Sequence, residues 1–512
     1  MIVQGHEITG PRSLRTHTLV VGSGSGGGVA AYRLAEAGVD TIVVEEGGHH
    51  VAAEFNQREE DMYPMLYRSG GQQMTSDGMI SVMQGSCYGG GTVINVSDAF
   101  DIPTEVLAHW QRTYGTKEWT EKSLEASYAR VHRDLNVKRI NKSLVNRNNG
   151  LLLEAAQKLN WSAEVMHSNR RGCVGSGYCL LGCSYDARLG TNLTYLPWAV
   201  EKGAHVYTDV RCDRLERIDG SRWRVHCTVV ERGLRVARHS LTITCERVVL
   251  AASAIFTPAI LQRSGLGDGL PQLGKNLTLQ PQLGMIGRFD QGDEIVHWRG
   301  APQSVEVNEF ADNTVEHGLG GFRLEGIGGA IGPVLTMAPG FGREHKRFGK
   351  SMRNLSATLV LVPDQPSGAV SYQWAPDGRV APKIDYVMQD EWKQRLKTGM
   401  RRGAELLFAA GAREVAFANQ AFPSLKGPDE LRRIADFPIE PGWVAFISAH
   451  NQGTCRMGTS AANSVVDQTL KVHGVDNVYV MDGSVMPTSA ATHTMIPIMA
   501  AADFAIHRML QS

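Results

Sequence analysis

Cysteine is scarce in this chain, with eight residues in 512, too few for a disulfide scaffold to stand in for a hydrophobic core. An excess of charge of either sign is also missing. Lys+Arg and Asp+Glu number 52 each, so no global field recruits nucleic acid or an anionic membrane surface. Long apolar runs are absent as well: the best, Val248 to Leu261, is broken by Ser253, Thr257 and Pro258 and is too short to cross a bilayer as a helix. No membrane span and no nucleic-acid partner are therefore expected. The opening segment, MIVQGHEITGPRSLRT, lacks both the apolar stretch of a signal peptide and paired arginines, which makes the cytoplasm the expected location. Neither internal repeats nor low-complexity linkers are evident. What remains, at 42% hydrophobic and 20% charged, is the composition of a globular enzyme long enough for a large core and two closely connected domains.

The first positive signal is local. HTLVV (17–21) is rich in β-formers and runs straight into GSGSGG (22–27), which predicts strand, tight turn and helix. In that reading Gly22 permits the turn, Gly24 lets the backbone approach a pyrophosphate, and Gly27 lets the helix pack closely on the strand. The helix carries Ala30, Leu34 and Ala37 and is expected to stop at Gly38. A second strand, Asp40 to Val44, delivers Glu45, 18 residues beyond Gly27, near where an acid must sit to bond an adenosine ribose. This unit predicts a dinucleotide site without choosing between NAD and FAD.

Further segments make the choice. QGSCYGGGTVIN (84–95) is a second glycine-rich stretch, and HNQGTCRMG (450–458) and VVDQTLKVHGVDNVYVMDGSVMP (465–487) lie near the other end. With weaker likeness in VVLAASAIFTPAILQRSGLG (248–267) and LGKNLTLQP (273–281), the chain resembles the glucose–methanol–choline (GMC) oxidoreductases over roughly half its length. Two departures are visible: Gly91 stands where the family usually has serine, and Asn451 replaces the usual proline after His450.

The resemblance implies FAD, held by the first unit together with Gly85, Gly89, Gly90, Asn95, Val210, Asp482 and Gly483, with Asp482 toward the ribityl or pyrophosphate part. It implies a closing helix from about Pro497, whose positive end would face the reduced flavin. It further implies oxidation of an alcohol to a carbonyl by hydride transfer to the flavin, with His450 as general base. His493, six residues beyond Pro487, would be its hydrogen-bonding partner at the substrate oxygen. The expected partners are a small-molecule alcohol and an electron acceptor, namely oxygen, a quinone or dye, or a cytochrome-type protein. A lyase or isomerase on the same scaffold and an NAD-dependent dehydrogenase are the alternatives. His473 also falls on a family position, but its pattern places it mid-strand, in a packing role.

Cys173, Cys179 and Cys183 occur in GCVGSGYCLLGCSYDAR (172–188), at spacings unlike the C-x2-C pairs of structural zinc sites. This segment resembles a subgroup with long-chain alcohol oxidases and the large subunits of bacterial glucose, fructose and gluconate dehydrogenases. In some of those dehydrogenases three such cysteines hold a [3Fe–4S] cluster. Reduced thiols packed in a buried loop are the alternative. Cys87, Cys212, Cys227, Cys245 and Cys455 are expected to be small buried hydrophobes.

The expected fold is α/β. Residues 1–100, 200–281 and 445–512 would form a discontinuous, Rossmann-like FAD-binding domain with a doubly wound parallel sheet. Residues 101–199 and 282–444 would form a substrate-binding region with an antiparallel sheet, suggested by SATLVLVP (356–363) and AVSYQW (369–374).

Overall fold

In the computed structural model, which describes residues 1–312, 320–329, 331–376 and 379–511, the apolar runs Thr18–Val21, Thr41–Glu45 and Arg247–Leu250 lie inside a six-stranded parallel sheet. Its order is Ile2–Val3, His205–Thr208, Thr41–Glu45, Thr18–Val21, Arg247–Leu250, Val478–Val480. The central strands Thr18–Val21 and Thr41–Glu45 are buried at every position. That explains their unbroken apolar character, since a strand covered on both faces has no polar side to alternate with. The helix Ser25–Glu36 makes the crossover between them.

Residues 210–245 do not join this sheet, contrary to the reading of 200–281 as wholly part of it. Val210–Asp219, Arg222–Val230 and Ala237–Cys245 form an antiparallel meander, to which Arg12–Arg15 adds a parallel edge. The alternating burial of Arg222–Val230 is that of a sheet with one covered face.

The second large sheet has eight strands. Ile80–Val82, Phe446–Ser448, Gln282–Arg288, Leu355–Leu361, Arg323–Gly326, Val305–Val307 and Ala163–Val165 follow in order, and Glu414–Phe417 also pairs with Gln282–Arg288. It is antiparallel except where Ile80–Val82 runs parallel to Phe446–Ser448. The strand expected at 356–363 is Leu355–Leu361. The one expected at 369–374 forms as Gly368–Trp374 but belongs to a separate three-stranded sheet with Lys275–Leu277 and Val380–Asp385. His473 sits in a turn rather than mid-strand, with its Nε2 2.8 Å from Ser464 Oγ. Cys212 is half-buried, whereas Cys87, Cys227, Cys245 and Cys455 are buried.

The first and last helices are joined by buried charge. Arg33 on Ser25–Glu36 donates through Nε to Asp503 Oδ1 at 2.7 Å and through Nη2 to Asp134 Oδ2 at 2.6 Å. Asp503, on the helix Met495–Gln511, also accepts two bonds from Arg130, at 2.9 and 2.5 Å. Burial by itself would raise the Asp503 pKa, but these guanidinium donors outweigh it and lower the pKa. Because the folded pKa is depressed, the stabilisation is present above the unfolded value and is lost as pH falls through the folded one. Asp503→Asn leaves two arginines facing a neutral amide and is expected to cost about 3–5 kcal/mol, the scale of breaking a buried ion pair. Thermal and urea unfolding measure it; an unchanged midpoint contradicts the role given to this network.

Candidate active site

The glycine turn, the end of the meander's first strand and the ends of both large sheets open onto one cavity of about 820 Å³, within the ~300–1,000 Å³ usual for small-molecule and cofactor sites. Its wall includes the turn Gly22–Gly24. Gly22 has φ +97°, and a Cβ on it would stand 2.3 Å from the Ala251 carbonyl oxygen, so only glycine makes this turn. Gly24 caps the helix Ser25–Glu36, lines the cavity and has open space where a Cβ would be. A phosphate can therefore approach the free N–H groups of the helix start. Gly27 does not face the cavity; it packs against the Gly22 carbonyl, the helix-on-strand contact expected of it.

Glu45 ends the strand Thr41–Glu45 at the cavity wall. Its carboxyl accepts from Ser23 N (3.0 Å), Ser23 Oγ (2.6 Å) and Gly47 N (2.8 Å). Burial pushes its pKa up, against these donors. The Ser23 hydroxyl also accepts from Gly89 N at 2.9 Å, which ties the second glycine-rich segment to the first. Gly85, Gly90, Asn95, Val210, Asp482 and Gly483 line the same cavity, while Gly89 lies behind it. Asp482 is fixed by the protein: Oδ2 accepts from Ser253 N (3.0 Å) and Thr257 Oγ1 (2.5 Å), and Oδ1 from Ser484 N (2.9 Å). The helix Met495–Gln511 starts two residues before Pro497 and brings Met495 and Ile498 to the wall. A glycine cradle, a helix start and a buried acid around one cavity fit the adenosine-pyrophosphate part of a dinucleotide.

The same cavity is lined by the two histidines, with rings perpendicular at 84° and centroids 5.0 Å apart. The nearest polar partner of His450 Nδ1 is Gln280 Oε1 at 3.0 Å. Gln282 Nε2 also lies 3.5 Å from Nδ1, but the shorter contact is to Oε1, which only accepts and so puts the hydrogen on Nδ1 and leaves Nε2 its lone pair. Burial, and then the charge of His493, lowers the His450 pKa well below the ordinary value, so this ring is a neutral base.

His493 has the opposite surroundings. Its Nε2 lies 3.0 and 3.1 Å from the two oxygens of Glu325, its Nδ1 is 3.8 Å from Asp98 Oδ2, and its ring stacks on Phe100 at 5.2 Å. Burial by itself would lower its pKa, but Glu325, Asp98 and Glu306 outweigh burial and raise it to about 9. Asp98 is pushed up to about 7 by burial, against the pull of His493, and neither of its oxygens has a hydrogen-bond partner in the protein. Glu325 also accepts from Gln303 Nε2.

Four of these groups, Gln280, Gln303, Asp98 and Glu325, were not among the residues expected from sequence. Asp98 lies three positions after Asn95, and Glu325 is a fully buried acid in the strand Arg323–Gly326, where a buried charge marks a site. Gln280 lies within the segment 273–281 that carried only weak likeness.

The three clustered cysteines line a separate cavity with Arg170 and Arg188. Its volume is about 10 Å³, on the order of one water molecule, which does not fit an iron–sulfur cluster. Burial raises the Cys179 pKa, with the two arginines pulling it down. Arg188 donates to the carbonyls of Cys179 and Asn95, so the thiol loop braces the wall of the main cavity.

The family described as GMC oxidoreductase matches residues 63–282 and 364–502. An uncharacterised GMC-type oxidoreductase of Mycobacterium tuberculosis is 31% identical over 494 residues, spanning 96% of this chain and 75% of that protein. A long-chain-alcohol oxidase of Arabidopsis thaliana is 27% identical, over 96% of this chain and 66% of its own. Among solved structures, pyridoxine 4-oxidase superposes with a TM-score of 0.72 at 17% identity, covering 97% of this chain and 99% of that one, a likeness of fold. Both matched segments together span well over half of the chain and carry the second glycine-rich stretch, His450 and His493, and the chain belongs to the GMC oxidoreductases, a family that implies FAD.

Proposed function

We propose that this flavoenzyme oxidises the hydroxyl group of a small, largely apolar alcohol to a carbonyl, with His450 as the base. The observation that carries this reading is the pairing of a neutral, lone-pair-bearing His450 with a positively charged His493 on the wall of the cavity that the glycine turn also lines. Bound FAD supplies the hydride acceptor. Gly22, Gly24 and Glu45, with Asp482 and Gly483, would hold it.

The chain's own work is to handle the proton and the charge. Gln280 sets the tautomer of His450, whose Nε2 takes the hydroxyl proton as the carbinol C–H bond is broken. The negative charge growing on the substrate oxygen is stabilised by the cationic His493, in surroundings from which water is largely excluded. Phe256, Val334, Met337, Leu359 and Phe446 supply apolar wall, which favours a substrate with a hydrocarbon part. Because the thiol loop does not fit a cluster, electrons would leave directly to oxygen or to a diffusible acceptor such as a quinone or dye.

His450→Ala, with FAD still bound, is expected to slow anaerobic flavin reduction by roughly 100-fold or more, the scale of losing a general base. Equal rates in the two proteins would remove His450 from the chemistry. Glu45→Ala is expected to weaken FAD retention while leaving the reduction rate of the residual holoenzyme near that of wild type; the reverse pattern would reassign Glu45. Freshly purified protein is expected to contain flavin but no stoichiometric iron or acid-labile sulfide, and finding three irons per chain would return the cysteines to a redox role.

A further inference from the structure

The carboxyl groups behind His493 have no part in holding FAD or in taking the substrate proton, yet they are the most unusual electrostatic feature of the molecule. Asp98, Glu325 and His493 are a group of three whose ligating atoms all lie within 4.8 Å of one another, and Asp98 and Glu325 are buried. A protonated imidazole is the best resident for such a place. It gives Glu325 a charge-assisted donor at Nε2 and turns an N–H, rather than a lone pair, toward Asp98, 3.8 Å from Nδ1.

We propose that Glu325 and Asp98 are positioning residues that keep His493 an imidazolium, so that His493 serves as a fixed positive charge and His450, the neutral ring of the pair, is the base. Each contact supports a part of this. Both Glu325 oxygens are within 3.1 Å of Nε2, so that nitrogen is directed to the protein and away from substrate. Asp98 faces Nδ1 and lines the cavity. Phe100 stacks on the ring and fixes its plane.

The charged groups around His493 come from every element packed on it. Glu325 lies on Arg323–Gly326 and Glu306 on the neighbouring Val305–Val307; Asp98 precedes Phe100 in the segment after the second glycine-rich stretch; His450 follows Phe446–Ser448. Arg323 pairs with Glu306 at 2.9 Å, and Arg170 acts on Asp98, so Glu325 is left as the nearest counter-charge of the imidazolium. The sign of the pH effect follows. His493 is raised to about 9, so its charge is fully present at neutral pH and is lost as pH rises through that value.

The proposal rests on His450 being the base, and its test has one arm that does not depend on catalysis. In holoenzyme labelled with carbon-13 at histidine Cε1, the His493 resonance, assigned by its loss in His493→Asn, is expected to titrate with a midpoint near 9. In Glu325→Gln, which keeps the size and an acceptor oxygen, the midpoint is expected to fall by roughly 1–3 pH units, the range for losing a nearby opposite charge. The alkaline limb of anaerobic flavin reduction should fall with it, while FAD content stays at the wild-type level. Asp98→Asn should move both in the same direction by less. A wild-type His493 that titrates near 6.5, or a midpoint that Glu325→Gln leaves in place, overturns the proposal even where the variants fold poorly, since the first observation needs no variant. The expected titration with an alkaline limb that does not follow it would instead count against the catalytic reading.

Discussion

The cavity depends on one close contact between the two ends of the chain. A Cβ on Gly26 would stand 1.7 Å from the Met481 carbonyl oxygen, so the start of the first long helix lies directly against the end of the strand Val478–Val480, and no other residue permits it. This contact sets Asp482 and Gly483 beside the glycine turn. It also lets the last helix lie along the first, where Asp503 meets Arg33. From there the chain between Gly483 and Met495 has only to turn back to carry His493 opposite His450. Two segments more than 400 residues apart in sequence thus form a single wall.

Burial and charge act against each other at the two histidines, and the balance falls differently at each. Both are desolvated, which disfavours the cation. His450 has only amides and another cation near it, so burial wins and the ring is neutral. His493 has three acids near it, and they win. The same imidazole is thereby neutral in one place and positively charged in the other, as one chemical group is elsewhere set to different states by its environment.

What could be read from the sequence was what is contiguous in it. The turn at Gly22, the acid at Glu45, the apolar strand before Asp482 and the histidine-bearing segments are each encoded within a few residues, and their spacing carries their meaning. Asp98, Glu325 and Gln280 were not legible as members of the site, because each meets its histidine through tertiary packing, Glu325 from a strand of the eight-stranded sheet and Asp98 and Gln280 from outside its strands, rather than through distance along the chain. The meander of 210–245 escaped for a related reason: its alternating pattern is clear once isolated, but it is inserted between strands of the parallel sheet. The cysteine spacing was legible as a pattern, but the space the thiols enclose depends on where Arg170 and Arg188 pack.

In the proposed reaction the cavity brings a dissociable hydroxyl proton to His450 while the flavin takes a hydride. The most direct measurement is a series of anaerobic titrations of the oxidised holoenzyme with primary and secondary alcohols of increasing chain length, following flavin absorbance and carbonyl product together. Bleaching of the flavin with one equivalent of carbonyl formed per flavin is the predicted result. Product formed from any of these compounds while the flavin stays oxidised would contradict the account.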